Sequence, residues 1–240
     1  MSTVQHDEVR DLFDREAEAF ARSYETDPNF QDRKAVWTGA IDRCLSDAAG
    51  KVCVDVGCGP GVFSFYAASK GARVYGVDSS VKMLSLCRDR LKRDGWRNVT
   101  FHEASLPFAD TSMFPPADIV LCSSVLEYVD DLDACVMSLA SLLKASGRLL
   151  VSVPNRRSLY RNYERMKFFL TRRPAYRGQV RHEMTLTGMR EVMGNHGLRI
   201  LENSYYGCVA RWLQSAEGLL GQERTRTMLF LVLLPMSTIR

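Results

Sequence analysis

Two carboxylates and a cluster of glycines offer the first chemistry in this sequence. In Val54-Asp55-Val56-Gly57-Cys58-Gly59-Pro60-Gly61 an acid stands just before a glycine-rich turn. Asp78 follows 21 residues after Gly57, at the end of a second apolar run. A carboxylate there can accept hydrogen bonds from both hydroxyls of a ribose. Charge-assisted bonds of that kind contribute about 1.5–3 kcal/mol each before costs. Asp55, beside the turn, would repel a pyrophosphate but suit an ammonium or sulfonium. The loop reads Gly-x-Gly-x-Gly rather than the Gly-x-Gly-x-x-Gly of dinucleotide sites. A cationic methyl donor is therefore favoured, with a dinucleotide as the rival ligand. Tight turns without any ligand would leave Asp55 and Asp78 unexplained together.

A second group of residues could act on an acceptor. Glu127 and Tyr128 follow an apolar run, Ile119 to Cys122, and Tyr128 could orient an acceptor through its hydroxyl. His182 lies after a basic stretch and before Glu183. It is a candidate general base, against the plainer reading of a loop or helix-start histidine. His6, His102 and His196 read as terminal, packing and helix-end residues. Glu127, Asp130 and Asp131 invite a metal, but Asp131 is well placed to cap a helix, and no metal is expected. The seven cysteines form no CxxC pair and read as small buried thiols.

These groups need elements to hold them. Asp7 to Glu25 and Asp32 to Ser46 read as amphipathic helices, separated by a break at Pro28-Asn29. Strands are expected at Val52–Val56, Arg73–Val77, Val99–His102, Ile119–Cys122 and Arg148–Val153. Helices at Val62–Ser69, Ser80–Asp94 and Leu132–Leu143 alternate with them. Further on come a helix over Thr185–His196, a strand over Leu198–Ser204, a short helix over Trp212–Leu220 and a last strand over Thr227–Leu234. Alternation of this kind makes an α/β fold whose parallel sheet is covered on both faces. One domain over 1–240 is expected. It divides into an N-terminal helical cap (1–49), a cofactor-binding core (50–154), a basic amphipathic lid (155–184) and the C-terminal part of the sheet (185–240).

Charge is uneven. The chain carries +4 overall, yet residues 156–181 hold nine Arg or Lys against one acid, Glu164. Local basicity argues about a partner more than about solubility. Leu159, Tyr160, Tyr163, Met166, Phe169 and Leu170 form one helical stripe there. The expectation is a lid whose apolar stripe covers an acceptor pocket while its arginines stay wet or clamp anionic groups. Arg156, Arg157, Arg173, Arg177 and Arg181 are the candidate clamps. Nucleic acid is disfavoured because the remaining surface is neutral to acidic. No run reaches the roughly 18–20 apolar residues of a membrane span, and residues 1–11 lack a signal pattern. A soluble, cytoplasmic protein is expected, with peripheral membrane contact and oligomeric state left open.

Taken together, the motifs resemble the class I S-adenosylmethionine-dependent methyltransferases, in particular those acting on small metabolites. Val54 to Gly61 is similar to that family's first motif and Val77-Asp78-Ser79-Ser80 to its second. His102 to Phe108 is similar to the adenine-side loop, Asp118 to Val129 to the fourth-strand motif, and Leu143 to Asn155 to the fifth strand. The resemblance implies a doubly wound, Rossmann-like seven-stranded sheet with its last strand antiparallel. It implies S-adenosyl-L-methionine as cofactor and S-adenosyl-L-homocysteine as product. Asp55, Gly57 and Gly59 would face the methionine part, with Cys58 and Gly61 of the same turn also cofactor-binding. Asp78 and Ser79 would meet the ribose. Glu103 and Ala104 would reach the adenine, Met83 and Leu106 would pack near it, and Cys122 and Ser123 would lie under the sulfonium. Glu103 departs from the family's usual aspartate and Tyr128 from its frequent histidine, which puts adenine contacts and the acceptor side in question. Small relatives often have a histidine near position 182 facing the site. The expected reaction is O-methylation of a small organic acceptor: a phenol, a sugar hydroxyl or a carboxylate, the last an anionic case. N-methylation, an RNA or lipid-precursor acceptor, and cofactor binding without turnover are the alternatives.

Overall fold

A computed structural model describes the backbone of residues 2–207 and 217–236. Side chains are described from residue 7 onward within that range, residue 175 apart. Cys208 and most of the helix expected over Trp212–Leu220 lie outside the described residues.

Seven strands form one sheet: β1 (Val52–Val56), β2 (Arg73–Asp78), β3 (Val99–Glu103), β4 (Ala117–Ser123), β5 (Leu143–Pro154), β6 (Leu198–Tyr206) and β7 (Met228–Pro235). Their order is β3-β2-β1-β4-β5-β7-β6. The first five run parallel, whereas β7 pairs antiparallel with both β5 and β6. Strand order reverses between β1 and β4, and a ligand crevice opens at such a switch point, beyond the carboxyl ends of the strands.

Period-two alternation divides the core into two layers. Leu229, Leu231 and Leu233 of β7 join Val54 and Val56 on one face, beneath α5 (Leu132–Ser141) and α7 (Leu186–Asn195). Met228, Phe230 and Val232 face the opposite way, onto Trp37, Ile41 and Phe63. Trp37 stacks on Phe63 at 5.1 Å and meets Phe230 edge-on. These contacts fix α2 (Pro28–Cys44) and α3 (Val62–Ser69) over the sheet, and α1 (Ser2–Thr26) packs against α2.

Two local readings need correction. Pro28-Asn29 does not separate two helices by several residues. Asp27 caps α2 by accepting from the Asn29 amide at 2.8 Å, and Pro28 sits in the first turn, where its missing N–H costs nothing. The turn between α1 and α2 is therefore a single residue. The cap expected at Asp131 is present, accepting from the Ala134 amide to start α5, and Ser80 accepts from the Met83 amide to start α4 (Val81–Asp94).

The second correction concerns the lid. Ser158 caps α6 (Leu159–Thr171), and a 3-10 turn, Ala175–Gln179, follows. Most of the apolar stripe does not face inward: Tyr163, Met166, Phe169 and Leu170 are exposed, while Tyr160 lines the cleft and Glu164 is buried. Sequence periodicity shows that a helix has two faces, but not which one the rest of the protein meets.

Candidate active site

The loop after β1 is shaped by its first glycine. Gly57 has φ +68°, and a β-carbon there would stand 2.2 Å from Val125 Cγ2. The Gly57 and Cys58 amides both donate to the Val77 carbonyl, tying the loop to β2. Replacing Gly57 with Ala should destabilise the fold by about 2–4 kcal/mol, from overpacking plus left-handed strain. Urea unfolding would register this as a lower midpoint with an unchanged slope.

Asp78 ends β2 at the mouth of this loop. Its Oδ2 accepts from the Gly59 amide and its Oδ1 from the Ser80 amide, each at 2.8 Å. The carboxylate is thereby aimed, and each oxygen keeps a lone pair for a ligand. Burial raises its pKa, with the two amides acting against that shift.

A cleft of about 1050 Å3 opens here, at the upper end of the roughly 300–1,000 Å3 usual for small-molecule sites. Gly57, Cys58, Gly59, Asp78, Ser79, Met83, Ala104, Leu106 and Ser123 all line it. The other expected cofactor residues stand off its wall. Asp55 is buried behind the loop, where its Oδ2 accepts from Ser64 Oγ at 2.6 Å and burial lifts its pKa to about 6. Cys122 is buried beneath Ser123, Gly61 opens α3, and Glu103 is exposed at the end of β3. The Ala104 amide donates to the Asp78 carbonyl at 3.2 Å.

Aromatic rings from three regions also wall the cleft: Phe13, Phe20, Tyr24 and Phe30 of the N-terminal helices, Tyr128 after β4, and Tyr160 and Tyr176 from α6 and the 3-10 turn after it. Phe13 meets Tyr128 edge-on at 5.4 Å, and burial raises the Tyr128 phenol well above its ordinary pKa. Arg33, which the sequence reading missed, reaches in from α2. Its Nη2 donates to Ser123 Oγ at 2.7 Å and to the Ser123 carbonyl at 3.0 Å, and its guanidinium lies 5.7 Å from the Tyr24 ring centre. Burial opposes its charge, but Tyr24, Tyr206 and Glu127 outweigh that, leaving its pKa above the arginine norm.

Glu127 lines the same cleft. Burial pushes its carboxyl up to about 7, against the pull of Arg33 and Arg161. Its Oε2 is buried with no hydrogen-bond partner among the described residues. A buried carboxylate oxygen left without a partner in this way is costly unless a ligand or function uses it.

α6 and the 3-10 turn after it contribute a closed polar triad. Arg161 Nη1 donates to Glu164 Oε2 at 2.8 Å and to the Tyr176 hydroxyl at 3.0 Å, and that hydroxyl donates to Glu164 Oε1 at 2.8 Å. All three residues line the cleft. Among the arginines expected as clamps, Arg157 pairs instead with Glu223, Arg177 with Glu183 and Arg181 with Asp130.

His182 is not brought to the cleft wall. Its Nε2 lies 2.9 Å from the Val129 carbonyl. A carbonyl only accepts, so that nitrogen carries the proton and the ring is fixed behind Glu127 and Tyr128.

A family model for a methyltransferase domain matches residues 30–203. The chain belongs to that family. Its domain is that of a class I S-adenosylmethionine-dependent methyltransferase. The chain is 35% identical over 146 residues to demethylmenaquinone methyltransferase of Tropheryma whipplei (strain Twist), covering 60% of this chain and 58% of that one. It is 37% identical over 116 residues to ubiquinone biosynthesis O-methyltransferase of Aromatoleum aromaticum, covering 48% and 49%. The chain thus spans about half the length of the curated relatives it matches. In fold it is similar to magnesium protoporphyrin IX methyltransferase from Synechocystis PCC 6803 with bound S-adenosylhomocysteine (TM-score 0.75, 20% identity, covering 96% and 99%). No helix among the described residues of the methyltransferase is long and apolar enough to cross a membrane.

The site's donor set fits S-adenosylmethionine, the cofactor of this class. An aimed carboxylate with two spare lone pairs suits a ribose diol. Apolar Met83 and Leu106, both buried in the cleft wall, suit an adenine. The glycine turn admits the backbone to close approach.

Proposed function

We propose that this methyltransferase transfers a methyl group to the hydroxyl of a phenol on a small, quinone-type aromatic precursor. Glu127 carries the reading: a buried carboxylate with an unpartnered oxygen, titrating near neutrality, within a cleft walled by aromatic rings. The names of the ubiquinone- and menaquinone-pathway relatives support the same acceptor class.

The bound cofactor would supply an electrophilic methyl group on a positive sulfur. Asp78 would hold its ribose, Met83 and Leu106 its adenine, and the Gly57–Gly59 turn its methionine part, with Asp55 as a buried anion behind. Tyr128 and the surrounding rings would stack and orient the acceptor and exclude water. Placement of this kind supplies much of the acceleration of a displacement at carbon. A neutral phenol also needs a base, and Glu127 Oε2 would take its proton as the oxygen attacks. Arg33, beside Glu127, would favour the ionised carboxylate before attack. His182 keeps a positioning role, holding the Val129 carbonyl and with it the segment that carries Glu127 and Tyr128.

The test is turnover with matched phenol, benzoate and aromatic amine acceptors, followed by product mass and methyl position. An aryl methyl ether from the phenol is expected, with conversion at least about tenfold faster than for the other two. Activity confined to amines would sink the oxygen assignment. Activity confined to carboxylates would remove the need for a base and with it the role of Glu127.

A further inference from the structure

The outward face of α6 has no partner within the chain. Leu159, Tyr163, Met166 and Leu170 recur at intervals of four, three and four, so they form one stripe along the helix, and all are exposed. Phe169 beside them is 76% exposed and Leu170 73%. A contiguous apolar stripe of that kind on a surface marks something that covers it.

The charges around the stripe say what that is. Arg156 precedes α6, Lys167 flanks the stripe, and Arg172 and Arg173 follow it; all four are exposed. None enters an ion pair among the described residues, whereas Arg157, Arg161, Arg165, Arg177 and Arg181 are each paired with an acid. The helix's one acid, Glu164, is turned inward. The outer face is therefore apolar along its length and positive at both ends, with no acid to offset it.

We infer that α6 docks this methyltransferase, in the plane of the interface, on an anionic lipid bilayer. Aliphatic and aromatic side chains at the centre with Lys and Arg at the margins are the arrangement that enters the headgroup boundary while its cations meet acidic lipids. A second copy of the chain would bring the same unpaired cations face to face. Single-stranded nucleic acid would call for stacked rings, but Leu159, Met166 and Leu170 make most of this stripe. Docked this way, α6 lies between the bilayer and the cleft, with Tyr160, Arg161 and Glu164 on its inner side.

The experiment is co-sedimentation of the full chain with phosphatidylcholine vesicles, with and without about 30 mol% phosphatidylglycerol. Binding to the anionic vesicles is expected to exceed that to the neutral ones by about tenfold or more. It should fall about tenfold or more in a Phe169→Glu, Leu170→Glu double variant. It should fall about fivefold for each of Lys167→Ala and Arg173→Ala. Affinity for S-adenosylhomocysteine, measured by calorimetry on each variant, should not change, which separates loss of the surface from loss of the fold. Wild-type chain that stays in the supernatant with anionic vesicles would overturn the inference. So would variants that sediment like wild type, or a dimer that the double variant dissociates without any vesicle binding.

Discussion

Replacing Asp78 with Ala is expected to weaken S-adenosylmethionine binding at least about 100-fold. On the proposed reading, two charge-assisted bonds to the ribose would be lost, at about 1.5–3 kcal/mol each. The Gly59 and Ser80 amides, which now donate to the carboxylate at 2.8 Å, lose their acceptor as well. The glycine turn therefore loosens as the ribose contact disappears, and the two losses reinforce each other. Isothermal calorimetry with S-adenosylhomocysteine is the direct readout. Asp78→Asn should fall between: it keeps one accepting oxygen but turns an NH2 toward one of the two amides. An Asp78→Ala variant that bound the product within about threefold of wild type would mean that the ribose lies elsewhere.

Glu127→Gln is expected to leave that affinity intact and to slow single-turnover methylation of a phenol by about 10²–10⁴-fold, the range for removing a general base. The substitution is nearly isosteric and removes only the capacity to take a proton. Its effect on stability separates chemistry from misfolding. The folded protein holds this proton to a pKa of about 7, against an ordinary value of 4.5. Between those values the folded state binds more protons than the unfolded one, so stability falls as pH rises through that window and stays lower above it. Glu127→Gln should therefore unfold no earlier than wild type at pH 8. A slow variant that is as stable as wild type and binds the donor normally has lost chemistry alone.

The glycine turn and the carboxylate that follows it were legible in the sequence, because their signals are local. A strand, a glycine turn and a helix follow one another within Val52–Ser69, and Asp78 closes the next strand; Gly57, Gly59, Asp78, Met83 and Leu106 all reach the cleft. Asp55 was legible as an acid beside the loop, but not as one turned away from the cleft onto Ser64. The rest of the cleft is built from distant pieces. Arg33 meets Ser123 across 90 residues, and no local pattern marks that contact. The lid misled for a different reason. Its helix and its amphipathic period were readable, but the inward face proved to be largely the polar one, because Arg161, Glu164 and Tyr176 satisfy each other there. The lone acid in a stretch of nine bases was the available clue: a carboxylate among so many cations is well placed to be the buried partner of one. His182 drew attention for its type and position, yet its ring nitrogen is committed to a backbone carbonyl.

The most direct test of the acceptor chemistry is the pH dependence of the methyl-transfer step with a saturating phenol, measured in single turnover for wild type and Glu127→Gln. The base must be ionised to act, so the wild-type rate should rise with pH and level off above about 7. That inflection should vanish in the variant, whose rate should climb only as the phenol itself ionises near pH ~10. Identical profiles for the two proteins, both following the phenol alone, would contradict the assignment of Glu127 as the base.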